Sequence, residues 1–114
     1  MRSVRNSNLG IFEALTAAIT QIAKPQLVIL FGSQARGSAD AESDVDLLVV
    51  EHKEDWESSS RRREIGRLRR ALPRVGFPID LLLFTPREVD RWKSSQNHVV
   101  AEAFENGQVL YERS

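Results

Sequence analysis

Three short apolar runs constrain the fold more than any other feature: QLVILF at 26–31, VDLLVV at 45–50 and IDLLLF at 79–84. The first is β-branched, bounded by Pro25 and Gly32, and too short for a helix, so it reads as a buried strand. The other two read as a second and a third strand. Helical patterns separate them. Phe12, Leu15, Ile19 and Ile22 recur at helical spacing between Leu9 and Ala23, with Ser7 or Asn8 as candidate caps and Pro25 beyond the end. A charged helix is expected from about Trp56 to Leu72, stopped near Pro73. Thr85-Pro86-Arg87-Glu88 has the form of a capping box with proline at the first helical position. HVVAEAFE continues helical periodicity to a C-cap signal at Asn106-Gly107, and VLYE closes as a short edge strand. Helices alternating with three apolar strands predict a two-layer α/β or α+β domain.

At 114 residues the chain has room for one domain, 1–114, with residues 1–8 polar and expected to fray. The formal net charge is zero, so no bulk field steers it toward nucleic acid or anionic lipid. The absence of cysteine excludes a disulfide scaffold, a thiolate metal site and a cysteine nucleophile, and it suits an intracellular setting. The N-terminus lacks the apolar stretch of a signal peptide, and no run approaches the roughly 18 apolar residues of a membrane span. A cytoplasmic protein with no membrane partner is expected.

The chemistry concentrates in FGSQARGSADAESDVDLLVV, residues 31–50. Asp44 and Asp46 are two apart at a strand entrance, so both side chains leave one face. Carboxylates held that close repel unless something neutralises them. A hard divalent cation does so: Mg²⁺ takes one or two carboxylates and completes its shell with phosphate oxygens and water. Upstream, Gly32 lets a backbone approach a ligand closely, and Ser33 offers a hydroxyl and backbone N–H groups to a phosphate. Asp80 opens IDLLLF much as Asp46 opens its own run. If the two strands are neighbours, Asp80 completes a carboxylate trio, as a second metal ligand or as the base for an attacking hydroxyl.

Gly-Ser, ten residues and then Asp-Val-Asp resembles the signature of the DNA polymerase β-like nucleotidyltransferase superfamily. The whole 31–50 stretch is similar to its minimal nucleotidyltransferase members, and TPREVD and the closing ENGQVLYE suit the same group. The resemblance implies the nucleotidyltransferase fold, a small mixed sheet with helices mainly on one face. It implies that Gly32 and Ser33 hold the β/γ-phosphates, that Asp44 and Asp46 bind Mg²⁺, and that Asp80 is the third carboxylate. Arg36 reads two ways, as a charge that helps neutralise phosphate or as a loop charge that is solvated or paired with an acid. Many minimal members are antitoxins that transfer AMP from ATP to a tyrosine hydroxyl of a HEPN-domain ribonuclease toxin. The resemblance therefore implies ATP and Mg²⁺ as substrate and cofactor, and an assembly with a HEPN toxin. Two alternatives stay open: a non-catalytic antitoxin acting by occlusion, and an RNA-directed transferase.

Seven arginines lie between Arg61 and Arg74. On a helix, Ile65, Leu68 and Leu72 share one face and Arg63, Arg67, Arg70 and Arg74 the opposite one. That is a solvated amphipathic helix, a docking surface for an acidic partner, or a contact for RNA phosphates; the lack of interleaved aromatics disfavours the last. Trp56 and Trp92 read as packing residues or interface anchors, and Tyr111 as packing. His52 and His98 lack metal-ligand spacing and receive no role.

Overall fold

In a computed structural model of the chain, residues 6–32, 45–51, 58–76 and 78–113 are described, with side chains from residue 10 and, in the second helix, from residue 60. The elements are α1 (Asn6–Ile22), β1 (Pro25–Phe31), β2 (Val45–Glu51), α2 (Ser58–Ala71), β3 (Ile79–Phe84), α3 (Pro86–Trp92), α4 (Val99–Asn106) and β4 (Gln108–Glu112). The three apolar runs form strands within a residue of their expected bounds. The helix α1 runs through Ser7 and Asn8 instead of starting from them, because apolar periodicity fixes where a helix packs and not where it begins.

The sheet has the order β3-β2-β1-β4. Strand β1 is antiparallel to both β2 and β4, and β2 is parallel to β3 across the crossover that carries α2. The sheet is mixed, and VLYE lies within the edge strand β4.

Side chains alternate across each strand, so the sheet presents two apolar faces. On one, Val28, Leu30, Val45, Leu47, Val49, Leu81 and Leu83 pack beneath the two long helices through Phe12, Leu15 and Ile19 of α1 and Leu68 of α2. On the other, Ile29, Phe31, Leu48 and Val50 meet Val89 of α3 and Val100 and Ala103 of α4. The main helical layer covers one face, as expected, and two short helices add a smaller core on the other. No described helix is long and apolar enough to cross a membrane.

The second core is fixed by local chemistry that the sequence announced at Thr85. Thr85 is fully buried, the Glu88 amide donates to its Oγ1 at 3.2 Å, and its own amide donates to Glu88 Oε1 at 3.0 Å. Helix α4 ends at Gly107, as expected, but not through a left-handed turn: Gly107 has φ −83°. A Cβ there would collide with the Ala103 carbonyl oxygen and the Ile29 side chain, and would lie 3.0 Å from the Leu30 carbonyl oxygen. The glycine is required by the close approach of α4 to β1.

Candidate active site

The register of the sheet brings the separated sequence signals to one end. Asp46 of β2 lies beside Asp80 of β3, and Phe31 of β1 lies beside Asp46 from the other side. Paired positions on neighbouring strands share a face, so the two acids project together from backbones about 4.8 Å apart. That face is the one carrying the smaller core. Along β2 the column Val50, Leu48 is continued by Asp46, and along β3 the column Phe84, Leu82 is continued by Asp80. Asp46 is half-buried and Asp80 exposed. The carboxylates therefore stand where the apolar columns of the two strands end.

Gly32 leaves β1 at the same end with φ +83°, in the region that favours glycine. A Cβ at Gly32 would strike Asp46 Oδ2. The missing side chain therefore makes room for that carboxylate against the Gly32 backbone, and the turn and the acid are two parts of one construction.

Of the residues expected at the site, Gly32, Asp46 and Asp80 are brought together. Ser33, Arg36 and Asp44 lie outside the described residues, as do Trp56 and His52. Among the described residues no three of His, Cys, Asp or Glu gather closely enough to hold a metal. The pair present is made of hard oxygen donors beside a backbone cleared of a Cβ, and this donor set fits Mg²⁺. A separate cavity of about 650 Å³, lined by Lys93, Asn97, His98, Glu102 and Asn106 among others, contains none of these three residues.

The polymerase β nucleotidyltransferase profile matches residues 13–114. The chain belongs to that family. No curated protein sequence matches it. Among solved structures, a Sulfolobus solfataricus protein provisionally named a nucleotidyltransferase superposes with a TM-score of 0.65 at 19% identity, over 99% of this chain and 90% of that one. A protein from a toxin-antitoxin complex with AMP-PNP superposes with a TM-score of 0.58 at 21% identity, over 90% of this chain and 74% of that one. At such identities the likeness is one of fold. The nucleotidyltransferase family thus accounts for the mixed sheet.

Several structural residues carried no local signal in the sequence. Arg61 of α2 donates to both carboxylate oxygens of Glu88, at 2.9 and 2.6 Å, and to the Leu83 carbonyl oxygen at 2.6 Å. Its guanidinium also lies 5.9 Å from the Phe84 ring centre. That hydrogen bond holds the Glu88 carboxyl below the usual range, against the opposing effect of partial burial. The clamp ties α2 to the start of α3, at the end of β3 opposite Asp80. His98, which received no role, caps α4: its Nδ1 accepts from the Val100 amide at 3.1 Å, and its ring stacks on Trp92 at 4.5 Å. Trp92 and Tyr111 are half-buried against the two cores, the packing alternative for each.

Proposed function

We propose that this nucleotidyltransferase is a Mg²⁺-dependent antitoxin enzyme that transfers AMP from ATP to a tyrosine hydroxyl of a partner HEPN ribonuclease. The observation that carries the reading is the register pairing of Asp46 with Asp80, beside a glycine whose missing side chain makes room for the Asp46 carboxylate. Two acids at adjacent strand mouths contribute nothing obvious to packing, and a binding subunit acting by occlusion has no need to hold repelling carboxylates together. The AMP-PNP in the toxin-antitoxin neighbour supports a nucleotide and a toxin partner for this chain as well.

In this mechanism Gly32 and Ser33 position the β- and γ-phosphates through backbone N–H groups and the serine hydroxyl. Asp44, Asp46 and Asp80 would hold Mg²⁺, which would supply charge neutralisation for the phosphoryl oxygens. Asp80, exposed where Asp46 is half-buried, takes the proton of the tyrosine hydroxyl. The tyrosine oxygen then bonds to the α-phosphorus as the bond to the β-phosphate bridging oxygen breaks, and pyrophosphate leaves. The protein's contribution is orientation and electrostatic placement.

The test is incubation with α-labelled ATP and Mg²⁺, with and without the product of the neighbouring reading frame, alongside Asp44→Asn and Asp46→Asn variants. Label on the partner that disappears with either variant is expected. A neutralised partner that never acquires label overturns the transferase reading in favour of occlusion, and label on tRNA overturns the protein acceptor.

A further inference from the structure

Most of the arginines of α2 and of the turn after it are absorbed neither by the fold nor by the transfer chemistry. Arg61 is clamped to Glu88, and Arg67 pairs with Glu64 at 2.8 Å on the solvent side. Arg62, Arg63, Arg69, Arg70 and Arg74 are exposed, and among the described residues none of them has an acid at salt-bridge distance. The opposite side of the helix is occupied, with Leu68 buried and Ile65 and Leu72 packed on the main core. Five guanidinium groups therefore face solvent together, on a chain whose net charge is zero.

The stripe ends in an apolar groove of about 420 Å³. Its walls are Leu72, Pro73, Val75 and Ile79, flanked by Arg69 and Arg74. Ile79 immediately precedes Asp80, so the groove opens at the same end of the sheet as the candidate active site, on the opposite face. We propose that this groove and the arginine stripe dock an acidic protein segment that carries one apolar anchor. Charge complementarity selects the acidic part: arginine presents a planar fork of donors that matches carboxylates in pairs. The groove selects the anchor, because a phosphate backbone brings no apolar group to fill it and none of the described residues that line it is aromatic. The inference goes beyond the transfer reaction, since the surface can hold its segment whether or not that segment is modified.

The probe is a library of displayed twelve-residue peptides panned on the whole chain. Selected peptides are then measured by fluorescence anisotropy against the wild type and the Arg69→Glu/Arg74→Glu variant, with a 20-base-pair RNA duplex as a parallel ligand. Enriched peptides should combine Asp or Glu with one large apolar residue, weaken with salt, and bind the variant at least tenfold less tightly. The milder Arg69→Gln/Arg74→Gln pair should show the same trend, which guards against misfolding of the charge-reversed chain. Enrichment of no peptide, or of peptides without acids, overturns the proposal. So does unchanged affinity in the variants, or RNA binding lost in them. A marked fall in melting temperature in the glutamine pair overturns it too, because the stripe would then be serving the chain's own acids.

Discussion

Replacing Gly32 by alanine separates the role of this turn in catalysis from its role in stability. Two effects act. First, φ +83° places the residue in the left-handed region, where a Cβ costs about 1–2 kcal/mol. Second, the new methyl group would overlap Asp46 Oδ2. The overlapped atom is the tip of a side chain, so the carboxylate can rotate away and the backbone need not move. The stability change therefore stays near the dihedral cost. With about 2.1 cal/mol/K of unfolding entropy per residue over 114 residues, that is a fall of roughly 4–8 °C in melting temperature. On the proposed mechanism the displaced Asp46 carboxylate is another matter: a misplacement of about 1 Å in the site costs on the order of 100-fold in rate. Pyrophosphate release by Gly32→Ala, measured well below its melting temperature, should be at least that much slower than wild type. Activity within a few-fold of wild type would refute the claim that Gly32 keeps Asp46 in place. A collapse in melting temperature of more than about 15 °C would refute the claim that the side chain yields before the backbone.

The Arg61–Glu88 clamp, whose side chains are 25% and 26% exposed, predicts a loss of about 2 kcal/mol for Arg61→Ala by urea denaturation. Because the folded Glu88 carboxyl sits below its unfolded value of about 4.3, its stabilisation is present above that pH and is lost as pH falls through the folded value. Wild type should thus lose stability on acidification more steeply than Arg61→Ala over that window. In α2, a Cβ at Gly66 meets only the Arg70 guanidinium at 3.4 Å, so Gly66→Ala should stabilise the chain by about 0.5–1 kcal/mol in the same assay. Gly107→Ala should do the opposite, at about 1–3 kcal/mol, because its methyl group meets backbone and a buried isoleucine.

What was legible in the sequence followed from local rules. The six-residue apolar runs could be nothing but strands, and Thr85 and Glu88 sit at the one spacing that closes a capping box. The acid pair was half legible: Asp46 and Asp80 each open an apolar run, but only the parallel register of β2 and β3 puts them side by side. Long-range partners were not legible. Arg61 and Glu88 are 27 residues apart, and no periodicity links them. His98 resembles no standard N-cap, since its acceptor is a ring nitrogen. Gly107 was read as a helix terminator for its backbone freedom, whereas what it supplies is space against β1, a property of the packed sheet alone.

The account rests on Gly32, Asp46 and Asp80 forming one metal-and-nucleotide site. Titration of Mn²⁺ followed by electron paramagnetic resonance, with AMP-PNP held at saturation, tests that most directly. Wild type should bind the ion in a nucleotide-dependent way, while Asp46→Asn and Asp80→Asn, still folded by circular dichroism, should each bind it at least tenfold more weakly. Equal binding by wild type and both variants would contradict the account.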